Sequence, residues 1–127
     1  MKLNKEDLMI GDWVMIKDYP MVSESKRMTE NHFVRSLCEF EAIPINNDFL
    51  LKNGFVFLPT EKNKNKGSFY LKVENCLLIY TTEYNVIQIY KYLIDRYEIN
   101  CEQFPIEYVH ELQHILKLGK INIEIKL

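Results

Sequence analysis

The sequence is poor in glycine and proline and has no long apolar segment, and these features exclude several classes of protein. Glycine and proline occur 4 times each in 127 residues, which excludes collagen-like repeats and Pro/Gly-rich disorder. The longest apolar run, residues 76–80, is far shorter than the ~20 residues of a membrane-spanning helix. Residues 1–7 lack the apolar stretch of an export signal. These absences predict a soluble chain with no membrane partner.

A basic excess and paired cysteines are also missing. The formal net charge is −2, whereas nucleic-acid binders usually carry a basic excess that neutralises phosphates. Cys38, Cys76 and Cys101 are odd in number and far apart, which fits neither a disulfide framework nor a zinc knuckle. Because each lies among apolar or strand-forming neighbours, we predict buried free thiols in a cytoplasmic protein without a cofactor.

What is present is the composition of a folded domain, with 47% hydrophobic and 27% charged residues. The order of the patterns predicts an α+β fold. An N-terminal SH3-like β segment is followed by a short helix and an antiparallel sheet covered by a C-terminal helix. We place a boundary after residue 43, which gives an SH3-like segment over 1–43 and an α+β segment over 44–127, packed as one unit.

The SH3-like prediction rests on residues 8–17. Gly11 permits a sharp turn before a short strand. The order "apolar-x-Gly-Asp-x-Val" is a common opening for the first strand of an SH3-like barrel. We expect Trp13 to lie in the core. The polar residues 23–31 predict an exposed loop, and the alternation over 33–43 predicts a further strand.

The second segment shows helical and strand patterns in alternation. Residues 86–97 fit either a helical stripe or a strand, and we favour a strand because Ile, Val and Tyr dominate. The predicted elements are a helix over 49–52 capped from 46–48, a buried strand over 55–58, a loop over 61–67, a hairpin of 68–74 and 76–81, a strand over 86–97, a helix over 105–118 and a strand over 121–127.

One enzyme motif is present. Residues 110–114 read His-Glu-Leu-Gln-His, which is H-E-x-x-H. In zinc hydrolases this spacing places two imidazoles on one face of a helix to bind zinc, and the glutamate is the general base. One alternative is therefore a zinc-dependent hydrolase in which His110 and His114 bind the metal and Glu111 activates water.

Three observations weigh against a zinc site. By residue frequencies, roughly one chain in a hundred or two of this kind carries the motif by chance. Catalytic zinc usually takes three protein ligands, and the candidates for a third are Glu124, in the predicted terminal strand, and the distant His32. The apolar side of the helix is formed by Val109, Leu112 and their neighbours, so both histidines are expected to face solvent. We therefore predict no catalytic, cofactor-binding or metal-binding residues.

A second alternative is a nucleic-acid-binding accessory protein. Lys62, Lys64 and Lys66 alternate with asparagine in the predicted loop over 61–67 and could contact phosphates. A lysine-rich hairpin loop is more often a solvated tip, and this is the interpretation that we favour.

Three segments together resemble a known family. Residues 8–14 (LMIGDWV) resemble L-R-I-G-N-x-V, residues 43–55 (IPINNDFLLKNGF) resemble I-P-L-T-E-E-W-L-L-K-F-G-F, and residues 108–114 (YVHELQH) resemble Y-V-H-Q-L-Q-N. In this order they resemble a family of small uncharacterised proteins of gut-type anaerobic bacteria, their phages and mobile elements. The resemblance implies that H-E-x-x-H arose by drift over H-Q-L-Q-N and that His110 has a structural role.

We therefore expect a non-enzymatic interaction module, associated with a phage or mobile element, whose partner is another protein. The zinc-dependent hydrolase and the nucleic-acid-binding protein remain the alternatives.

Overall fold

The computed structural model describes residues 2–3, 7–9, 11–18, 24–29, 38–59, 67–93 and 98–127. Within these ranges the protein is α+β, with two antiparallel sheets and two helices. None of the described helices has the length and apolarity to cross a membrane. The elements are β1 (Lys2–Leu3), β2 (Trp13–Asp18), β3 (Glu24–Arg27), β4 (Cys38–Glu41), α1 (Asn47–Lys52), β5 (Val56–Pro59), β6 (Gly67–Val73), β7 (Cys76–Thr81), β8 (Val86–Leu93), β9 (Glu98–Pro105) and α2 (Val109–Leu118).

The chain divides into two compact units, neither of which is one continuous stretch of sequence. The first unit contains Met1–Ile45 and Tyr108–Ile115, and the second contains Asn46–Glu107 and Leu116–Leu127. The N-terminal sheet therefore belongs to the same unit as most of α2, which lies far away in the sequence.

The first unit is built on a four-stranded antiparallel sheet of order β1-β4-β2-β3. Gly11 has a φ of 95° and turns the chain into β2, as the sequence predicted. Val14 and Ile16 are buried while Trp13 and Met15 are less so, which confirms the predicted alternation at these four positions. A core cluster forms from Leu8, Val14, Ile16, Met28 and Phe40, with Leu3 packed against it.

Two predictions in this unit are wrong. The stretch 23–31 was expected to be a loop, yet β3 pairs along β2 from Ile16↔Glu24 to Trp13↔Arg27. Trp13 was expected in the core, but it is partly exposed, with the Arg27 guanidinium carbon 5.0 Å from the centre of its ring. The strand β3 was missed because a polar strand at the edge of a sheet carries no apolar alternation to mark it.

The second unit is built on a five-stranded antiparallel meander of order β5-β6-β7-β8-β9. The predicted hairpin of β6 and β7 is confirmed, and its turn places Glu74 at a φ of 53°. Residues 86–93 form a strand, as predicted, while 94–97 lie outside the described residues. The buried face carries a row of apolar side chains that includes Phe69, Leu78, Tyr80 and Ile87.

The start of the predicted helix over 105–118 is wrong. Residues 98–105 form the edge strand β9, which pairs with β8 from Leu93↔Glu98 to Val86↔Pro105. Pro105 ends this strand instead of opening a helix. Proline is tolerated there because β9 is an edge strand, where the missing N–H need not break a ladder. The helix α2 begins at Val109, and it ends at Leu118 as predicted.

The predicted burial of two segments is also wrong. Residues 55–58 were expected to form a buried strand. Phe55 is buried as predicted, but Val56 and Leu58 of β5 are 59% and 52% exposed. Cys101 was expected to be buried and is exposed, whereas Cys76 is buried as predicted. These side chains belong to the outermost strands of the sheet, β5 and β9, where cover is least.

The short helix α1 forms as its capping residues predict. The side chain of Asn46 accepts a hydrogen bond from the N–H of Phe49 at 2.8 Å, which is an N-cap. At the other end the N–H of Phe55 donates to the carbonyl of Leu50 at 3.0 Å. Gly54 takes the left-handed conformation between them, with a φ of 89°. This is a Schellman motif, and glycine is the residue that adopts it at least cost.

The end of α2 repeats this motif with a different residue. The N–H of Ile121 donates to the carbonyl of Leu116 at 2.9 Å, and that of Lys120 donates to Lys117 at 3.2 Å. The left-handed position therefore falls on Lys120, with a φ of 55°, and not on the neighbouring Gly119. A side chain at a left-handed position carries a steric cost that glycine avoids.

Residues 121–127 were predicted to be a strand, and this is wrong. Ile121 and Ile125 are buried, so the alternation correctly predicted burial, but this tail joins no sheet. Instead the side-chain amide of Asn53 pairs with Lys126, accepting from its N–H and donating to its carbonyl, both at 2.7 Å. An amide side chain thus takes the place of a neighbouring strand.

Replacing Lys120 with glycine should raise the free energy of unfolding by about 0.5–1 kcal/mol, because the left-handed position then carries no Cβ. The matched control is Lys117→Gly, the same exchange inside the last turn of α2, which should lower it by about 0.5–1 kcal/mol. Urea denaturation of both variants measures these changes. Equal losses in the two variants would contradict the C-terminal geometry described for α2.

Candidate functional site

Glu111, the supposed general base, serves as a cap in this structure. Its carboxylate oxygen Oε1 accepts a hydrogen bond from the backbone N–H of Tyr108 at 3.0 Å. Tyr108 immediately precedes α2 and Glu111 is the third residue of the helix, so this is the glutamate half of a capping box. An acidic side chain is also favoured there by the helix dipole.

His114 is bound to a carboxylate from the start of the chain. Its Nε2 lies 2.6 Å from Oδ2 of Asp12, and the same oxygen accepts the N–H of Met9 at 2.8 Å. Asp12 is 3% exposed. A buried carboxylate is tolerated when hydrogen bonds satisfy it, so His114 secures the turn that precedes β2.

Gln113, between the two histidine positions, holds the same turn by its amide. Its Oε1 accepts the backbone N–H of Trp13 at 2.8 Å, and its Nε2 donates to the carbonyl of Gly11 at 3.0 Å. Both polar atoms of the Gln113 side chain therefore form hydrogen bonds with the backbone at the start of β2. The polar side of α2 is a docking surface for residues 9–13 within the first unit.

His110 was predicted to face solvent, and this is wrong. It is 5% exposed, with its ring stacked on Tyr108 and edge-on to His114. Its Nδ1 is buried and has no hydrogen-bond partner among the described residues. Burial lowers the pKa of His110, and nearby His114 adds to this, while the carboxylates of Glu111, Asp12 and Asp7 act in the opposite direction. The neutral ring is the form that suits this site.

These contacts give two residues of the motif other roles. Nε2 of His114 faces the carboxylate of Asp12, and Glu111 accepts the N–H of Tyr108 at the start of α2. Among the described residues no group of three or more His, Cys, Asp or Glu side chains is arranged to hold a metal ion. His32 lies outside those residues, and Glu124 lies in the C-terminal tail.

A different surface of the protein has the character of a binding site. We call it the open face: the side chains of the five-stranded sheet that point away from its buried side. By register it consists of Val56, Leu58, Ser68, Tyr70, Lys72, Leu77, Ile79, Thr81, Val86, Gln88, Tyr90, Tyr92, Ile99, Cys101, Gln103 and Pro105. Most are apolar or aromatic, and all are partly or largely exposed.

A groove of 560 Å³ lies at one end of the open face. Its apolar lining comes from Leu77, Tyr90, Tyr92 and Ile99, on three adjacent strands. Asn75, in the turn between β6 and β7, links that turn to β8, because its side-chain amide donates to the carbonyl of Tyr92 at 2.9 Å. The volume falls within the range of about 300–1,000 Å³ that is typical of ligand pockets.

The wall of the groove is uncharged at Tyr90. A hydrogen bond with the Cys101 side chain on the adjacent strand raises the pKa of Tyr90 above its ordinary value. A tyrosine with an ordinary or raised pKa is neutral at pH 7. Lys72 and Glu74 also line the groove, but both are exposed to solvent, so the described lining holds no buried charge.

The residues that matter at both sites were mostly missed in the sequence. Asp12 and Gln113 have no local pattern, because each acts on a segment about a hundred residues away. The sequence signal for the open face is the segment 86–93, in which every residue except Gln88 and Lys91 is apolar or aromatic. The predicted nucleic-acid contacts Lys62, Lys64 and Lys66 lie outside the described residues.

No protein-family model, curated protein or solved structure matches this chain.

Substitutions at the neighbouring residues Glu111 and Leu112 distinguish two roles of α2, packing and catalysis. Leu112 is fully buried, so Leu112→Ala should lower the free energy of unfolding by about 2–5 kcal/mol. Glu111→Gln should change it by less than about 0.5 kcal/mol, because glutamine accepts the same hydrogen bond, whereas Glu111→Ala should lower it by about 0.5–1 kcal/mol. Denaturant titrations measure all three.

Metal analysis of the dialysed protein tests the alternative that α2 binds zinc. We expect no stoichiometric zinc. One tightly held zinc per chain that is lost in His114→Ala, or a peptidase activity that Glu111→Gln abolishes in a folded protein, would show that α2 carries chemistry.

The buried His110 should make stability depend on pH. The unfolded chain has an ordinary histidine pKa near 6.5, while that of the folded protein is lower. Below about pH 6.5 the unfolded state therefore binds a proton that the folded state does not bind. The free energy of unfolding falls as the pH drops from the unfolded pKa to the folded pKa, and this contribution levels off at lower pH. Above about pH 7 this contribution is fully present.

The variant His110→Asn isolates this effect. Subtracting its pH profile, measured by urea denaturation between pH 5 and 8, removes the contributions of carboxylates and of His114. The difference should slope upward with pH between the two histidine pKa values. A flat difference, or one that slopes the other way, would contradict the burial of a neutral His110.

Proposed function

We propose that this protein is a non-enzymatic interaction module that binds a protein partner on the open face. The observation that carries the proposal is the apolar character of a sheet face that the described residues leave uncovered. Ile99 is 70% exposed and Val56 and Leu58 are more than half exposed. Contiguous exposed apolar surface of this kind usually marks a site of interaction.

The composition of the open face supports a protein as the partner. Tyr70, Tyr90 and Tyr92 provide three aromatic side chains, a class enriched in protein interfaces, and charged residues are scarce there. Lys72 is the basic residue that the described strands contribute to this face. A nucleic-acid interface is expected to carry many more.

The remaining parts of the proposal concern fold and context. We propose that the first unit is an SH3-like variant, on the strength of its four antiparallel strands and the Gly11 turn into β2. Fold analogy of this kind says little about the partner. The free and exposed thiol of Cys101 suits a reducing compartment such as the cytoplasm. Association with a phage or mobile element follows from the sequence resemblance.

A random peptide library selected on the purified protein tests the proposal. Binders should protect backbone amides of β7, β8 and β9 from hydrogen exchange, and Ile99→Ser should weaken them at least tenfold. The matched control is Leu118→Ser, since Leu118 is 81% exposed but lies on α2, outside the open face. It should leave binding within twofold.

The contrary outcomes are also defined. Binders whose footprint lies on the first unit, or which Ile99→Ser leaves unchanged, would overturn the assignment of function to the open face.

A further inference from the structure

We propose that the partner presents an extended segment that adds to the sheet as a sixth strand along β9, with apolar residues on the groove side and basic residues on the other. This inference rests on the proposed function and names the kind of partner. It follows from the backbone geometry of β9, from the position of the groove and from the charge of the strand.

The outward edge of β9 has backbone N–H and C=O groups that are available to hydrogen-bond an added strand. The N–H of Tyr92 donates to Asn75 on the β7 side, so by strand alternation it is Ile89 and its alternate neighbours that pair with β9. Ile89 is opposite Glu102. The N–H groups of Ile99, Cys101 and Gln103 therefore point away from the sheet. No backbone hydrogen bond joins them to another described segment.

Pro105 is consistent with this geometry. It lies in the same alternation as Ile99 and Gln103, at the one kind of position in an edge strand where a missing N–H breaks no ladder bond. Three successive outward N–H groups with their carbonyls then offer an added strand about six hydrogen bonds. Addition of an extended peptide to such an edge is a common mode of recognition.

The same three residues direct the added strand to the groove. The side chains of Ile99, Cys101 and Gln103 belong to the open face, and Ile99 lines the groove itself. In an antiparallel pair, residues that lie opposite one another share a face. Alternate side chains of the added strand would therefore extend the open face beside Ile99, where an apolar side chain continues the lining formed with Tyr90 and Tyr92.

The opposite side of the strand sets the charge of the partner. The sequence of β9, EINCEQFP, holds two glutamates and no basic residue. Glu102 is exposed on the side away from the open face and makes no ion pair with a described residue. Lysine or arginine at the intervening positions of the added strand would lie across from it. Cross-strand pairs of opposite charge favour such pairing.

A second copy of this protein fits the edge less well. Two β9 strands paired about a twofold axis at residue 100 or 102 would place glutamates directly opposite one another, which is unfavourable, and pairing about Cys101 would leave Glu102 opposite Asn100 with no basic partner. The charge of the edge therefore favours a basic segment of another chain.

Binding of defined peptides tests the inference. The probe is an eight-residue peptide that alternates valine and lysine, titrated by NMR into the full-length protein. The amides of Ile99, Cys101 and Gln103 should shift, and their hydrogen exchange should slow at least tenfold. A peptide that alternates valine and glutamate should bind at least tenfold more weakly. Glu102→Gln should weaken the lysine peptide about threefold and reduce its salt dependence.

N-methylation of the peptide separates strand addition from simple hydrophobic contact. Methyl groups on one alternate set of peptide nitrogens should abolish binding, and those on the other set should leave it within threefold, because one set pairs with β9. Gln103→Pro should also abolish binding while β8 pairing is kept, since its N–H points outward. The peptide experiment stands on its own should this variant prove unstable.

The outcomes separate this inference from the proposed function. If the lysine peptide fails to bind, or both N-methylated sets bind equally, the inference is wrong. Library binders that cover the open face without protecting the β9 edge would also overturn it and leave the proposed function standing. A protein that sediments as a dimer through β9 would mean that a second copy occupies the edge, which contradicts the inference as well.

Discussion

The N-terminal unit depends on one buried hydrogen bond, between His114 on α2 and Asp12 in the turn before β2. A carboxylate that is 3% exposed carries a large desolvation cost, which hydrogen bonds to His114 and to the N–H of Met9 offset. The Gln113 side chain also hydrogen-bonds to the backbone of Gly11 and Trp13, on either side of Asp12. These contacts with α2 fix the backbone where the chain enters β2. The turn before β2 and the first part of α2, about a hundred residues apart in the sequence, are thereby joined in one unit.

Side-chain amides replace strands at two places in this fold. Gln113 pairs with the backbone at Gly11 and Trp13, and Asn53 pairs with both polar groups of Lys126. In each case the backbone groups are satisfied without a ladder. The tail over 121–127 therefore has the burial pattern of a strand and none of the pairing. Apolar alternation reports which side chains are buried, and it does not report what pairs with the backbone.

The sequence predicted the elements whose signals are local. The cap at Asn46, the left-handed Gly54, the turn at Gly11 and the hairpin of β6 and β7 all follow from neighbouring residues. The strand β3, the strand β9 and the Asp12 contact were missed because each is decided by a partner elsewhere in the chain. The same holds for the candidate site, since the open face exists only once five strands are placed in register.

The misjudged burial of β5 and the proposed function have a common physical origin. An antiparallel sheet with one solvated face is expected to alternate apolar and polar residues. Here β7 and β8 are apolar on both faces, and Val56 and Leu58 continue this on β5. A strand that is apolar on both sides predicts a sheet that is buried on both faces. The described residues cover one face of this sheet. The proposed partner would complete the second face of this sheet, and we propose that it begins at the edge of β9 beside the groove, which no other described strand pairs.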